Sequence, residues 1–320
     1  MKTVILDGYT LNPGDLSWEG FESLMPVEYY DRTPAKDIIS RIGNAEIIIV
    51  NKTPISKETI DACPSIKYIG VLATGYDVVD VKYAGSKGIV VTNIPTYGTN
   101  TVAQYVFALL LAACHKAESH SQGVFAGKWQ SSPDFSYWDS PQTELWGKTI
   151  GIIGLGKIGS RVAEIACAFG MEVIAYNPRG PVITNCPVKF ESLNTLLEKS
   201  HVISLHCPRT EETRGIINKE TIDKMKDGAI LINTSRGPLV NEEDVCKGLS
   251  SGKIGFYAAD VVSKEPILSD NPLLQAKNCM ITPHMAWAAK EARQRLMNIA
   301  VNNLKAFLNG APINTVGPAR

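Results

Sequence analysis

Short apolar runs alternate with segments of helical periodicity along the first hundred residues. Clusters of β-branched and aliphatic residues predict strands at Val4–Leu6, Ile47–Val50, Ile66–Leu72 and Val90–Ile94. Helical spacing of apolar positions predicts helices at Ala35–Ile42, Lys57–Ala62 and Val78–Ser86. Because strands that alternate with helices form parallel sheets covered on both faces, this part of the chain predicts a doubly wound α/β domain.

A second alternating series follows a long predicted helix, Thr99–His115, and an irregular aromatic stretch, Phe125–Gln142. The aromatic residues either fold back on the core or contact a partner subunit. The predicted strands of this series are Thr149–Ile153, Val173–Tyr176, Val202–Leu205, Ile230–Asn233, Tyr257–Val261 and Met280–Thr282. The predicted helices are Lys157–Phe169, Leu193–Lys199, Lys219–Met225, Glu242–Leu249 and Ala288–Leu308. A second α/β domain is therefore expected.

Three glycines form a G-x-G-x-x-G pattern between the first strand of the second series and the helix after it. Gly154 permits a tight turn, Gly156 lets the backbone approach a pyrophosphate, and Gly159 lets the helix pack closely on the sheet. The helix start adds unpaired N–H groups and a dipole that favours an anion. The predicted dinucleotide contacts of this turn are Gly154, Leu155, Gly156, Lys157, Ile158 and Gly159.

The residue expected to bind the adenosine ribose is Asn177, at the end of the next predicted strand. A carboxylate at this position would hold the 2′-hydroxyl and repel a 2′-phosphate, whereas an amide can only hold the hydroxyl. Arg179 either pairs with a 2′-phosphate or is a solvated loop charge. Both NAD and NADP therefore stay open as the cofactor, with NADPH slightly favoured.

Arg236, Glu265 and His284 follow later predicted strands, where open α/β sheets bind their ligands. Reduction of a 2-keto acid needs a cation for the carboxylate and carbonyl oxygen, and a proton donor for the forming alkoxide. Arg236 and His284 have the right chemistry for these two roles. Glu265 is the candidate carboxylate that orients the imidazole and favours its charged form.

Composition and charge narrow the classes of partner. The 320 residues carry 32 basic and 32 acidic side chains, so no broad field attracts nucleic acid or an acidic membrane. The longest apolar stretch, Val106–Cys114, is far shorter than the roughly 20 residues that cross a bilayer. Seven scattered cysteines without a C-x-x-C pair predict reduced thiols in a cytoplasmic protein and no metal site.

Taken together, the motifs resemble the D-isomer-specific 2-hydroxyacid dehydrogenase family, and most of all its glycerate dehydrogenase and hydroxypyruvate/glyoxylate reductase branch. The matching stretches are Val71–Asp77, Asn93–Gly98, Gly147–Gly159, His206–Pro208, Asn233–Gly237, Asp260–Pro266 and Pro283–His284. They stand in the family's order along essentially the whole chain.

This resemblance implies a substrate domain of the flavodoxin-like type, made of residues 1–98 and 288–320. A Rossmann domain that binds NAD(P) and also forms a homodimer would occupy residues 99–287. The active site would lie in the cleft between the two domains. A hydride would pass between the nicotinamide and carbon 2 of a small acid, such as hydroxypyruvate or glyoxylate, giving D-glycerate or glycolate reversibly.

The resemblance also assigns roles to residues. Arg236 would clamp the substrate, His284 would be the acid and base, and Glu265 would orient His284. Further cofactor contacts are expected at Cys207, Pro208, Thr213, Thr234, Ser235, Asp260 and Ala286, with Asp260 on the nicotinamide carboxamide. Substrate contacts are expected at Arg236, His284, the backbone of Ala73, Thr74 and Gly75, and Trp138, whose loop would reach the partner's active site.

Two alternatives remain open. One is another D-2-hydroxyacid dehydrogenase, of the D-lactate or phosphoglycerate type. The other is a dinucleotide-sensing scaffold like the transcriptional corepressors that share this fold and even its catalytic residues.

Overall fold

The computed structural model describes residues 1–178, 180 and 182–317. It divides into two compact units, one made of Met1–Gly98 and the chain from Trp287 onward, the other of Thr99–Ala286. Each unit is a parallel sheet flanked by helices, the fold class that the alternating pattern predicted. Trp287, which the sequence placed at the end of the second domain, belongs to the first unit.

The first unit has a five-stranded sheet in the order β2-β1-β3-β4-β5. Its strands are β1 (Thr3–Ile5), β2 (Val27–Tyr29), β3 (Ile47–Val50), β4 (Tyr68–Val71) and β5 (Val90–Thr92). Its helices are α1 (Glu19–Glu22), α2 (Ile38–Ile42), α3 (Lys57–Ala62), α4 (Val81–Ser86) and the C-terminal α11 (Lys290–Leu308), with a 3-10 turn at Ala35–Asp37. All four residues of β3 are buried because helices cover both faces of the sheet.

In this unit, two predicted helices begin differently in the structure and one strand was not predicted. The helix predicted from Val78 begins only at Val81, because the Asp80 side chain accepts a 3.0 Å hydrogen bond from the Tyr83 N–H and caps the first turn. Strand β2 has no predicted counterpart, because this edge strand has three residues and none of them is buried. The helix predicted over Ala35–Ile42 starts as a 3-10 turn.

The second unit has seven parallel strands in the order β12-β11-β10-β9-β6-β7-β8. These strands are β6 (Thr149–Ile153), β7 (Glu172–Tyr176), β8 (Lys189–Phe190), β9 (Val202–Leu205), β10 (Ala229–Asn233), β11 (Ile254–Ala259) and β12 (Cys279–Ile281). The helices are α5 (Thr99–His115), α6 (Ala117–Phe125), α7 (Lys157–Ala168), α8 (Leu193–Lys199), α9 (Lys219–Asp223) and α10 (Glu242–Ser251), with 3-10 turns at Gly237–Leu239 and Pro272–Gln275.

The chain leaves β6 toward β7 and β8, then crosses to β9 on the other side of β6. The carboxyl ends of β6 and β9 therefore meet at a topological switch point, the usual ligand position in such sheets. The predicted strand Tyr257–Val261 is displaced, since β11 ends at Ala259. Val262 lies beyond the end of this strand, and its apolar side chain is buried in the core. The short strand β8 and helix α6 have no counterpart among the predicted elements.

Two further expectations concern membranes and metals. Within residues 1–178, 180 and 182–317, no helix is long and apolar enough to cross a membrane. The same residues contain no group of three His, Cys, Asp or Glu side chains that could hold a metal ion.

Candidate active site

The three glycines of the turn after β6 differ in what surrounds them. Gly154 has φ +97°, and a Cβ there would lie 2.4 Å from the backbone nitrogen of Cys207. A Cβ on Gly159 would lie 2.3 Å from the Gly154 carbonyl oxygen. A Cβ on Gly156 would meet no atom within 4 Å. Packing thus demands the outer two glycines, whereas the middle one borders open space at the start of α7.

Gly156 is also the N-cap residue of α7, and no side chain caps this helix end. The first N–H groups of a helix need acceptors, and an anion can supply them. Leu155 is buried and fixes the turn to the core, while Lys157 is exposed beside the open space. The start of α7 therefore has the form of a phosphate cradle.

A second turn, after β9, lies against the glycine turn. Its Cys207 carbonyl accepts a 2.6 Å hydrogen bond from Ser235 Oγ. Thr213 Oγ1 donates to the Pro208 carbonyl at 2.7 Å and accepts from the Thr210 N–H at 2.7 Å, so it closes the turn. Burial raises the pKa of the Cys207 thiol to about 11. Cys207 is therefore a neutral packing residue at ordinary pH.

His206 supports this turn in a way that sequence reasoning missed. Its side chain is partly buried, and its Nε2 lies 2.8 Å from Ser204 Oγ. Burial lowers the pKa of His206 to about 4, so the ring is neutral at ordinary pH. Its backbone N–H donates a 2.8 Å hydrogen bond to the carbonyl of Ile153 at the end of β6. Its place in a matched motif, His206–Pro208, was the only signal in the sequence.

The turn after β10 presents Arg236. Buried Asn233 closes it, accepting from the Ser235 N–H and donating to the Arg236 carbonyl, both at 3.0 Å. Arg236 itself is exposed, and its Nη1 donates to the Ser235 carbonyl at 2.8 Å. A Cβ on Gly237 would lie 1.9 Å from the Val262 carbonyl carbon. The absence of a side chain on Gly237 thus brings the turn with Arg236 against the segment after β11.

That segment carries Glu265, and the structure brings it to His284. The Nδ1 atom of His284 lies 2.7 Å from Oε2 of Glu265. Both side chains are about one-third exposed, 32% for His284 and 37% for Glu265, so the pair is reachable from solvent. His284 has φ +51°, a left-handed conformation that is uncommon for a residue with a side chain. The predicted acid and its orienting carboxylate are therefore in direct contact.

Asp260 holds the backbone around His284. Its buried carboxylate accepts hydrogen bonds from the Thr282 hydroxyl at 2.7 Å and from the N–H groups of Met285 and Ala286 at 2.8 Å. These three bonds fix the residues on both sides of the left-handed His284. Sequence reasoning expected Asp260 only as a nicotinamide contact and missed this positioning role. The signal available was an acidic residue directly after a buried strand.

Comparison with known proteins decides the family. Residues 107–286 match the sequence profile described as "D-isomer specific 2-hydroxyacid dehydrogenase, NAD binding domain". The chain belongs to this family.

Relatives of this dehydrogenase span its whole length. It is 55% identical to a hydroxypyruvate reductase from Blautia hydrogenotrophica over 99% of both chains. A glycerate dehydrogenase from Methylorubrum extorquens is 40% identical, with 90% of this chain and 91% of the relative covered. A solved acyclic imino acid reductase, in complex with NADPH and D-arginine, superimposes with a TM-score of 0.85 at 32% identity, covering 99% of this chain and 100% of the other.

The dehydrogenase uses a nicotinamide dinucleotide, and its second unit fits one. Gly156 leaves open space in front of an uncapped helix start, where a pyrophosphate is expected. Among the described residues, Thr234 is one of three with a buried side-chain polar atom that has no hydrogen-bond partner in the protein. An orphaned hydroxyl after β10 is consistent with a ligand contact there.

Four further predicted residues of this dehydrogenase are Asn177, Arg179, Trp138 and Thr74. The Asn177 amide donates to the Gly180 carbonyl at 2.7 Å, which leaves its oxygen as an acceptor at the end of β7. Arg179 lies outside the described residues. Trp138 is 67% exposed. Thr74 of the first unit follows β4 and donates to the Ile94 carbonyl at 2.7 Å.

Proposed function

We propose that this dehydrogenase reduces hydroxypyruvate or glyoxylate reversibly to D-glycerate or glycolate. The observation that carries the proposal is the 2.7 Å contact between Nδ1 of His284 and Glu265, in the segments that follow the adjacent strands β12 and β11. The choice of keto acid is supported by the hydroxypyruvate reductase that is 55% identical over the full length.

In the proposed mechanism, Glu265 orients the imidazole of His284 through the contact with Nδ1. Nε2 is then the atom assigned to give a proton to the carbonyl oxygen of the keto acid. Arg236 binds the substrate carboxylate and polarises the carbonyl through its guanidinium. The backbone N–H groups of Ala73, Thr74 and Gly75 are assigned to the same carboxylate. A bound dinucleotide would supply the hydride for carbon 2 of the keto acid and would take it back in the reverse direction.

We assign the cofactor contacts to the cradle and the neighbouring turns. The residues so assigned are Gly154, Leu155, Gly156, Lys157, Ile158, Gly159, Cys207, Pro208, Thr213, Thr234, Ser235, Asp260 and Ala286. The support is geometric for Gly156 and Thr234, because open space and an orphaned hydroxyl mark these two positions. Asp260 Oδ2 accepts one hydrogen bond from the protein, so it keeps acceptor capacity for a carboxamide.

The test is a direct assay of the purified protein with NADPH or NADH and a panel of 2-keto acids, followed at the nicotinamide absorbance. We expect the highest kcat/KM with hydroxypyruvate or glyoxylate. Higher values with pyruvate or phosphohydroxypyruvate would reassign the substrate to the D-lactate or phosphoglycerate type. Dinucleotide binding without turnover of any keto acid would favour the scaffold alternative and end the reductase proposal.

For the cofactor we propose a preference for NADPH, because Asn177 places no carboxylate beside the 2′-position. Asn177→Asp should shift the ratio of kcat/KM values toward NADH, since the new charge repels a 2′-phosphate. Asn194→Asp is the matched control, because Asn194 lies on α8 and accepts a 2.9 Å bond from Lys224. An unchanged ratio in Asn177→Asp would show that other residues decide the preference.

We further propose a cytoplasmic homodimer. Four large aromatic side chains of the second unit are strongly exposed, namely Phe125 at 90%, Phe135 at 91%, Trp138 at 67% and Trp146 at 74%. Large apolar side chains with this much exposed surface favour contact with another protein surface. All seven cysteines are free thiols, in keeping with a reducing compartment. Light scattering should give twice the chain mass, and a mass of 34.8 kDa would contradict the dimer.

A further inference from the structure

Glu242 links α10 to the segment that carries Glu265. It is the first residue of α10, and its carboxylate accepts three hydrogen bonds from outside the helix. Oε1 accepts from the Ser263 N–H at 2.7 Å. Oε2 accepts from the Ser263 hydroxyl at 2.7 Å and from the Asn271 amide at 2.9 Å. One side chain thus ties both ends of the connection 263–271.

This connection needs an anchor, because residues 263–266 are exposed. Its start is fixed where Val262 is buried and packs against Gly237. Its other end is fixed where Asn271, 9% exposed, accepts from the Leu273 N–H at 3.0 Å. Between these points the Val262 N–H donates to Oε1 of Glu265 at 3.3 Å, and Oε2 of Glu265 must stay within hydrogen-bond distance of His284. Exposed segments with few ties sample other conformations, and bonds to a charged acceptor are among the strongest available ties.

We propose that Glu242 is a positioning residue for proton transfer, because its carboxylate binds Ser263 and Asn271 and thereby holds Glu265 against His284. Glu242 is not assigned a contact with the reacting atoms. It acts through Ser263, which lies two residues before Glu265 along the chain. The inference rests on the proposed function, which assigns proton transfer to His284.

The competing explanation for a loss of activity is that removing the Glu242 charge destabilises the start of α10 in general. The first turn of α10 contains three acidic residues, Glu242, Glu243 and Asp244, and each favours the helix dipole. Glu243 is exposed and adjacent, so Glu243→Gln removes the same charge from the same turn. It leaves the bonds to Ser263 and Asn271 in place. It is therefore the matched control.

The kinetic experiment compares Glu242→Gln with Glu243→Gln and the wild type. Glu242→Gln replaces one carboxylate oxygen with an NH2 group. Ser263 Oγ and Asn271 Nδ2 can then no longer both donate to that atom. We expect kcat to fall by roughly 10- to 100-fold, as a misplaced catalytic group commonly costs. The solvent deuterium isotope effect on kcat should rise, and dinucleotide Kd should stay within about twofold. Glu243→Gln should match the wild type in all three.

Two further measurements separate the outcomes. The double variant Ser263→Ala, Glu242→Gln should have the same kcat as Glu242→Gln alone. The reason is that both substitutions break the same contact, the one between Ser263 and Glu242. Hydrogen–deuterium exchange, which needs no turnover, should accelerate over residues 262–268 in Glu242→Gln and not in Glu243→Gln. A Glu242→Gln enzyme with wild-type kcat, or a loss of kcat matched by an equal loss in Glu243→Gln, would overturn the inference.

The failure of this inference is distinguishable from failure of the proposed function. If the wild type turns over no keto acid, the proposed function fails, and the exchange measurement alone then decides whether Glu242 holds the segment. Unchanged exchange over residues 262–268 in that case would overturn the role of Glu242 as well.

Discussion

Replacing His284 with alanine is expected to lower kcat by roughly 10²- to 10⁴-fold, the range typical for loss of a general acid. The affinity for the dinucleotide should hardly change, because the cradle is formed by the turn after β6 and not by His284. Stopped-flow reduction of the keto acid would give kcat, and fluorescence titration would give the dinucleotide Kd.

The matched control for this substitution is His115→Ala. His115 is an exposed histidine of the same unit, at the end of α5, and its Nδ1 is 3.4 Å from Gln142 Oε1. Its removal should leave kcat unchanged. Glu265→Gln should cost less than His284→Ala, since the imidazole remains but loses its charged partner. Wild-type turnover in His284→Ala would remove His284 from the mechanism.

Gly156→Ala is expected to weaken dinucleotide binding at least tenfold, about 1.4 kcal/mol, without lowering the free energy of unfolding. Gly156 has an ordinary φ of −87°, and an added Cβ would meet no protein atom within 4 Å. The methyl group therefore fits the protein alone. It would occupy the space that a pyrophosphate needs when it approaches the backbone.

The contrasting variant is Gly154→Ala, where φ is +97° and the new Cβ would lie 2.4 Å from Cys207 nitrogen. It should lower the free energy of unfolding by roughly 1–3 kcal/mol through crowding, with left-handed strain in addition. Urea unfolding of the dinucleotide-free proteins measures this difference. If Gly156→Ala binds the dinucleotide as the wild type does, the pyrophosphate does not lie at this turn.

Several helices and strands were predictable from local pattern alone. Helices α3, α5 and α8 and strands β3, β6 and β9 have the bounds that the sequence predicted. Their apolar residues follow one period, and nothing in the rest of the fold competes with it. Two short edge strands were not predictable, because β2 and β8 contain three and two residues and become strands only by pairing with β1 and β7.

The sequence likewise predicted some features of the candidate site and not others. The types of the chemical groups were readable from sequence, because a glycine turn, a histidine, a glutamate and an arginine each have a chemistry that does not depend on the fold. Their supports were not. Asp260 and Glu242 act through hydrogen bonds to residues 21 to 29 positions away along the chain. No local pattern reports which carboxylate receives those donors.

By itself, the sequence determined two parallel α/β units, and it predicted a dinucleotide turn, an acid, the partner of that acid and an anion clamp. These follow from side-chain size, polarity and backbone freedom, which are properties of each residue and its neighbours. Only the tertiary structure decided that Nδ1 of His284 lies 2.7 Å from Glu265, and that Asp260 and Glu242 hold the two segments that make this contact. Such contacts arise because separate strand ends of one sheet meet at one edge, where distance along the chain no longer matters.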